Sequence, residues 1–350
     1  MAYTTINDPS AYFTSTLYTG NSSANHAITN DANAGNFQPD MLWYKSQSYG
    51  SSHILYDSSR TKTYFFTVNT TAKDKTDANM LDSFDTNGFT LNADLDGNRA
   101  SNTFMAWQWK CNGGTTVSNT DGDINSTVQV NSDAGLSIVT YTGNFTAAQT
   151  VGHGLGVRPD MVIIKNRDTA VDWVVWTPEL TSGNFLKLND EATQSSSSRI
   201  YQAGFTTSTF GIGANNSVNK SGNDLAAYCF ASKQGYSKFG KYIGNGLADG
   251  AFVYTGFKPA FVILKKYNTS ADSWVILDNQ RDPNNVVNSR LFADLVNSES
   301  TSTDMVDFLS NGFKLRTSGS AYNGSGVGYI YMAFAENPFV TSTGTPTTAR

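Results

Sequence analysis

Ionisable side chains are scarce in this sequence. Only 15% of its 350 residues are Asp, Glu, Lys or Arg, the formal net charge is −5, and no run of Lys or Arg interrupts the chain. A nucleic-acid partner usually requires a basic stripe that neutralises phosphates. We therefore expect no DNA or RNA partner.

Long apolar runs and cysteines are also few. No run approaches the roughly 20 apolar residues that span a membrane, and residues 1–13 lack the basic and apolar regions of a secretory signal. We expect synthesis in a cytoplasm without membrane insertion. Cys111 and Cys229 are the only cysteines. They fall in separate repeats, so we expect two free, buried thiols.

Residues that carry catalysis are sparse. The sequence has no Gly-x-Ser-x-Gly elbow, no His-Glu-x-x-His pair and no phosphate loop. We expect surface or turn positions for its histidines, which are His26, His53 and His153. Two carboxylates would suffice for glycoside hydrolysis, but no glutamate stands in an aromatic-rich strand; the four are Glu179, Glu191, Glu299 and Glu336. We predict that the protein is not an enzyme, with no catalytic residue, cofactor or metal site.

The segment Asp121–Asn125 resembles the start of a calcium loop. Such a loop has Gly at its sixth position and Glu at its twelfth, and this chain has Ser126 and Ser132 there. A flexible Asp-Gly turn is the stronger interpretation.

Aromatic and small polar residues are what the sequence has instead. Aromatics make up 13% of the chain, and Ser, Thr, Asn and Gly are abundant, which is typical of short strands joined by many turns. Exposed tryptophans can bind sugars, but alternation along one strand and matching repeat positions favour core packing. The tryptophans concerned are Trp107, Trp109, Trp173 and Trp274. We expect an all-β protein and assign no sugar site.

Motifs in fixed order divide the chain into repeats. The first motif is a strand entering a Gly turn, as in Tyr18-Thr-Gly-Asn21, and the second is an apolar strand behind a proline, as in Val157-Arg-Pro-Asp-Met-Val-Ile-Ile-Lys165. The third is an apolar segment, in which His53 of the first repeat is aligned with Asp172 and Ser273. The fourth is a Gly-Phe turn followed by an aromatic strand. The first motif recurs at Tyr141–Asn144 and Tyr242–Asn245, and the prolines are Pro39, Pro159 and Pro259.

These motifs predict three tandem antiparallel β-sandwiches of jelly-roll or lectin-like topology, arranged in a row. A single propeller is the alternative, although three blades fall below the usual four to eight. Pro fixes φ at a strand entrance, so the apolar run behind it is expected to be a central strand, and Asn-Gly-Phe predicts a hairpin. The predicted divisions are repeat 1 at 1–112, a polar linker at 113–136, repeat 2 at 137–235, repeat 3 at 236–340 and a polar tail at 341–350.

Three segments, together with the Tyr-Thr-Gly-Asn motif and the proline-led strands, carry a resemblance to a known family. They are Thr5–Phe13, Tyr228–Gly240 and Ala333–Phe339. With them the chain resembles a family of repeat proteins of marine and cyanobacterial tailed phages, described as structural or tail-fibre-like. The family has no established active site, so the resemblance implies a location on the virion surface. Ala260 replaces the Asp of the proline motif in repeat 3, which argues against a binding role for that Asp.

Within that location two functions compete. The first is a non-enzymatic capsid decoration or accessory protein, present in many copies or as a homo-oligomer and contacting other capsid or tail proteins. The second is a tail fibre or adhesin that binds a host-surface glycan or receptor. The chain has no heptads or collagen-like repeat with which fibres trimerise, which favours the compact accessory protein. A carbohydrate-binding module is the non-viral alternative.

Overall fold

The chain is an all-β protein, and the named strands of its described residues all pair in antiparallel fashion. The computed structural model describes residues 2–30 and 37–347, except for the side chains of 302–304. Within these residues, helix is confined to single turns. These are η1 (Pro9–Ala11), α1 (Leu95–Asn98), α2 (Asn216–Asn219), η2 (Gln202–Gly204) and α3 (Ser320–Asn323). The predicted scarcity of helix is confirmed, and the last residues of the predicted tail, 348–350, lie outside the described part.

Repeat 1 consists of two sheets that enclose an apolar layer. Its strands are β1 (Phe13–Thr19), β2 (His26–Thr29), β3 (Met41–Ser46), β4 (Ile54–Asp57), β5 (Tyr64–Thr67), β6 (Lys75–Thr76), β7 (Leu81–Asp85), β8 (Gly88–Leu91) and β9 (Thr103–Trp109). One sheet has the order β1-β9-β3-β4-β5-β6 and the other β2-β8-β7. The predicted Asn-Gly-Phe hairpin is confirmed, because Asp85 pairs with Gly88 across a two-residue loop.

Repeat 2 lacks a counterpart of β7 but has two additional strands at the edge of its larger sheet. Its strands are β10 (Val117–Asn119), β11 (Ser126–Asn131), β12 (Leu136–Thr142), β13 (Gln149–Gly152), β14 (Met161–Asn166), β15 (Val174–Trp176), β16 (Asn184–Lys187), β17 (Ser195–Ser196), β18 (Thr209–Ile212) and β19 (Asp224–Phe230). The sheets are β10-β11-β12-β19-β14-β15-β16-β17 and β13-β18. The polar segment expected to be a linker thus contributes the hairpin β10–β11 to the edge of the larger sheet.

Repeat 3 is one eight-stranded sheet that curls until it is nearly closed, with the order β20-β27-β22-β23-β24-β25-β26-β21. Its strands are β20 (Ser237–Ile243), β21 (Phe252–Tyr254), β22 (Phe257–Lys266), β23 (Val275–Asp278), β24 (Val287–Phe292), β25 (Ser300–Leu309), β26 (Gly312–Leu315) and β27 (Gly328–Pro338). Pro259 lies inside β22 at a shift in register, whereas Pro39 and Pro159 precede their strands.

The same five strands form the centre of every repeat. In each, the first strand pairs with the last, the last pairs with the proline-led strand, and two more follow: β1-β9-β3-β4-β5, β12-β19-β14-β15-β16 and β20-β27-β22-β23-β24. The prediction that the proline-led strand is central and covered on both faces is confirmed. Met41 and Trp43 of β3 pack into one core, while Leu42 and Tyr44 pack into another.

Those two layers show that the repeats are arranged in a ring. One core is shared by all three repeats and contains Trp109, Phe230 and Phe334 from their closing strands. Each repeat adds a peripheral core of its own. A row would leave repeats 1 and 3 apart, but the ring of Phe13 lies 5.0 Å from that of Phe334. The expected row of separate domains is therefore wrong in its spatial order, because the inner faces of the sheets need one another for burial.

Candidate interaction sites

The Tyr-x-Gly-Asn motif is a structural clamp built around a buried asparagine. In repeat 2, Asn219 accepts a hydrogen bond from Asn144 N at 2.8 Å and donates to Asn144 Oδ1 and Thr146 O. Tyr141 donates to Val218 O at 2.7 Å. A side chain at Gly143 would meet Lys220 O at 2.4 Å, so only Gly fits. Repeats 1 and 3 repeat the clamp with Asn98 and Asn323.

These asparagines were missed by sequence reasoning. Each follows its motif at nearly the same distance, since Asn98, Asn219 and Asn323 lie 77, 75 and 78 residues after the motif asparagine. That recurring separation was the signal that could have revealed them.

The turn that follows each clamp is held in the left-handed region. Ser22, Phe145 and Gly246 occupy it with φ of 54°, 59° and 71°. Their N–H groups donate to the carbonyls of Asn98, Asn219 and Asn323. Phe145 is 48% exposed, so an aromatic side chain is displayed at a backbone position that disfavours it by about 1–3 kcal/mol.

Main-chain hydrogen bonds close the ring of repeats. Asp74 N donates to Arg167 O at 2.8 Å, which links repeat 1 to repeat 2. Gln194 N donates to Tyr267 O at 2.9 Å, and Glu299 N donates to Gln47 O at 2.8 Å. The third bond returns from repeat 3 to repeat 1, so all three interfaces share one geometry.

The second-last residue of each proline-led strand is a lysine that is buried near an interface. Lys165 Nζ donates to Thr71 O of repeat 1 at 2.9 Å, and Lys265 Nζ donates to Glu191 O of repeat 2 at 2.6 Å. Lys45 Nζ donates to Ser46 O at 2.7 Å within its own repeat. Burial lowers the pKa of each of these three lysines to about 8. These hydrogen bonds indicate that the three lysines stabilise the packing of the repeats.

Buried ion pairs lie at two of the interfaces, and hydrogen bonds connect them to the neighbouring repeat. Between repeats 1 and 2, Tyr228 donates to Asp57 Oδ2 at 2.6 Å, and Arg60 Nε donates to the same oxygen at 2.6 Å. Arg60 also bonds Asp74, which Arg167 Nε contacts at 2.7 Å. The carboxylate of Asp57 is thus fully buried and fully paired.

The interface between repeats 3 and 1 has the same design. Trp107 Nε1 donates to Asp278 Oδ2 at 3.2 Å, and Arg281 Nε donates to it at 2.7 Å. Arg281 reaches Glu299 at 3.2 Å, and Gln47 Nε2 donates to Glu299 at 3.0 Å. The spacing Asp-x-x-Arg, present in repeats 1 and 3, was the sequence signal for these pairs.

The interface between repeats 2 and 3 is apolar at the matching positions. Thr177 replaces the aspartate, Leu180 the arginine and Met332 the group that donates to the carboxylate. Leu180 and Met332 belong to the shared core. The aspartate, the arginine and the donor are therefore all replaced at this interface, so no charged group is left buried without a partner.

The histidines differ from the expectation of surface or turn positions. His53 and His153 are fully buried, and burial lowers the pKa of His153 to about 4. His53 accepts a hydrogen bond from Trp43 Nε1 at 3.0 Å. Its structural counterparts are Trp173 and Trp274, one residue beyond Asp172 and Ser273, because all three main-chain N–H groups donate to an Asn or Asp side chain. His26 begins β2 and contacts Asn98 Oδ1 at 2.7 Å.

The cysteines and tryptophans lie in the cores. Cys111 and Cys229 are free and buried, as predicted. The tryptophans expected to pack in the core do so; Trp107, Trp109, Trp173 and Trp274 are all buried. Among the side chains that the structure describes, no cluster of three or more His, Cys, Asp or Glu could hold a metal ion. Over residues 2–30 and 37–347, no helix is long and apolar enough to cross a bilayer.

In repeat 1, the aspartate of the proline motif fixes the path of the chain after β9. Asp40 is fully buried and accepts hydrogen bonds from the N–H groups of Cys111, Gly113 and Gly114. It therefore organises the segment that leaves β9. Asp160 does the same through Ser232 N at 2.7 Å, and Ala260 has no group that could.

A polar recess of the ring lies between repeats 3 and 1. It has a volume of about 420 Å³ and is bordered by Thr14 and Ser15 of β1, by Asn279 and Gln280 after β23, and by Asn337. A shallower depression continues from it along β1 and is also bordered by Ser15 and Gln280. We refer to the recess and its continuation as the β1 groove.

Comparison with known proteins gives one match. Residues 8–338 match the family described as a domain of unknown function, DUF7483. No curated protein and no solved structure matches the chain. Because the match extends over nearly the whole ring of repeats, the chain belongs to the DUF7483 family.

Proposed function

We propose that this chain is a non-enzymatic structural protein displayed on the outer surface of a tailed bacteriophage virion, as a capsid decoration or accessory protein. The observation that carries the proposal is the resemblance of its motif series to phage structural repeat proteins, which extends over nearly the whole chain. In this role the chain reaches the virion after synthesis in the host cytoplasm, and its partners are other virion proteins.

The ring architecture fits a surface module. Each repeat contributes to the shared core and to interfaces with both others, so the three peripheral parts are held in fixed relative positions. We infer that each repeat is a sandwich module, in three tandem copies. A rigid ring can contact several neighbours at once, and the combined contacts raise affinity without one deep pocket.

Exposed apolar residues at the outer turns are the proposed contact points. Phe145 and Leu247 follow equivalent clamps and are 48% and 59% exposed. Since a strained backbone position displays Phe145, partner contact is a reason for an aromatic residue to occupy it.

A tail fibre or adhesin is the second candidate, and one feature of repeat 3 favours it. Phe252 and Tyr254 alternate on β21 and are 47% and 55% exposed. Two aromatic rings on one strand face can stack against the rings of a host-surface glycan. The same feature would serve a carbohydrate-binding module.

The test is to locate the protein on purified virions by cryo-electron microscopy with a gold-labelled antibody. Label over the icosahedral shell supports the decoration role. Label confined to the tail supports the adhesin and would be followed by a glycan array, with Tyr254→Ala as the variant expected to lose binding. Absence of the protein from virions, checked by mass spectrometry, would reject both viral roles.

A further inference from the structure

The outer edge of β1 has unused main-chain groups. Gly20 N donates to Asn102 O, and Lys110 N donates to Tyr12 O. Even-numbered residues of this ladder therefore bond to β9, and the N–H and C=O groups of Ser15 and Leu17 point the other way. In the sheet β1 is the terminal strand, and among the described residues no strand pairs with this edge.

In repeat 2 the equivalent edge is occupied by another strand. β11 pairs with β12, with Gln129 opposite Ile138 and Thr127 opposite Thr140. Ile138 corresponds to Ser15, because each lies opposite the residue two before the end of its closing strand. The chain itself thus shows what an occupant of this edge looks like: an extended segment entering between two repeats.

Gln129 anchors that segment to the preceding repeat. It is fully buried, its Nε2 donates to Ser59 Oγ at 2.7 Å, and its Oε1 accepts from Asn112 N at 3.0 Å and Gly114 N at 2.9 Å. Every polar atom of its amide is used. One side chain thereby fixes both the register of β11 and its attachment to repeat 1.

The β1 groove occupies the corresponding place between repeats 3 and 1. Asn279 and Gln280 stand where Ser58 and Ser59 bind Gln129, and Asn337 stands where Asn112 does. Asn279 Oδ1 is buried without a hydrogen-bond partner. It can therefore accept a hydrogen bond at the position where, in repeat 1, a serine binds the amide of Gln129. Between repeats 2 and 3 the main-chain N–H at the equivalent position is already used, because Phe239 N donates to Ser232 Oγ at 3.2 Å.

We propose that the β1 groove accepts an extended strand from another protein, which adds to the edge of β1 as β11 adds to β12. The strand places an amide side chain opposite Ser15, where it bonds Asn279 and Asn337, and its main chain pairs with Ser15 and Leu17. Strand addition of this kind combines main-chain affinity with side-chain selectivity. The proposal does not depend on a virion location.

The probe is a fluorescent peptide with the sequence of residues 124–131, Ile-Asn-Ser-Thr-Val-Gln-Val-Asn, titrated into the full chain. We expect saturable binding, together with slower amide exchange in residues 13–19. Changing the residue that corresponds to Gln129 in the peptide to Ala is expected to weaken binding about tenfold. Absence of saturation, or slower exchange at β12 instead of β1, would overturn the proposal.

Variants of the chain locate the binding further. Gln280→Trp fills the β1 groove and should abolish peptide binding, whereas Asp133→Trp, at an exposed position, should leave it unchanged. Circular dichroism confirms that both variants are folded. Unaltered binding to Gln280→Trp would contradict the assignment. A concentration-dependent dimer that Gln280→Trp disrupts would show that a second copy is the occupant, which also contradicts a foreign strand.

Discussion

Single buried polar residues determine the local conformation of this chain. The clamp asparagines each satisfy several main-chain groups. Replacing such a residue lowers the free energy of unfolding, because the groups that it leaves behind are buried and unpaired.

Asn219→Ala should lower the free energy of unfolding by about 3 kcal/mol, because it removes hydrogen bonds to Asn144 and Thr146 and leaves their groups unsatisfied. Urea denaturation measures the change. Asn125→Ala, at an exposed position, is the control and should change stability by less than about 0.5 kcal/mol. Equal stability of the two variants would contradict the structural role of the clamp.

His153 makes stability sensitive to acid. Its pKa is about 4 in the folded chain because of burial, against roughly 6.5 when unfolded. Between these values the unfolded chain binds the proton and the folded chain does not, so stability falls as pH decreases from 6.5 to 4, by about 2–3 kcal/mol. His153→Asn retains an acceptor for Leu155 N. Its unfolding free energy should fall less over the same range, and an unchanged slope would contradict the prediction.

Residue chemistry explains which parts of the fold were predictable. The proline-led strands and the Asn-Gly-Phe hairpin depend on backbone limits that are local in sequence, and the structure has both. The partner of Asn144 lies at Asn219, and that of Asp57 at Tyr228. Such distant pairs give no local pattern. The ring, the strand β11 and the β1 groove follow from these distant contacts and could not be predicted.

At the scale of elements, the three interfaces are variants of one design. Two contain a buried Asp–Arg pair, and the third replaces the set with Thr177, Leu180 and Met332. Gln194 stands there in place of the outer carboxylate. The interface between repeats 2 and 3 therefore shows which residues can replace the buried ion pair by apolar packing.

Arg60→Leu alone should destabilise the chain by about 3–5 kcal/mol, because it leaves Asp57 buried without its cation. The combined variant Asp57→Thr, Arg60→Leu, Asp74→Gln and Tyr228→Met copies the third interface and should recover most of this loss. Thermal and urea denaturation of both variants measure the difference. A combined variant no more stable than Arg60→Leu would show that the interfaces are not interchangeable.

At the scale of the whole molecule, the shared core makes the repeats interdependent. Leu136, Tyr228 and Phe230 of repeat 2 are buried in a core to which repeats 1 and 3 also contribute. A single repeat in isolation would expose this apolar face to water, which removes a large part of its stabilisation.

The full chain should therefore unfold in one cooperative transition, and a fragment of residues 113–235 should not fold. Coincident transitions by tryptophan fluorescence and circular dichroism test the first expectation, and the amide spectrum of the fragment tests the second. Separate transitions, or a folded fragment, would show that the repeats are independent domains. Binding assays for the proposed surface role accordingly require the whole chain.

The closing contact between repeats 3 and 1 gives the molecule a direction of mechanical weakness. The polypeptide runs continuously from repeat 1 to 2 and from repeat 2 to 3, whereas noncovalent contacts alone join repeat 3 to 1, including Asn7 to Ser342 at 2.7 Å. Tension between the two ends of the chain loads this seam first. The ring would open there into a linear series of repeats while the other two seams remain bridged by the backbone, and the rate of opening, not the equilibrium stability, would set the tolerated force.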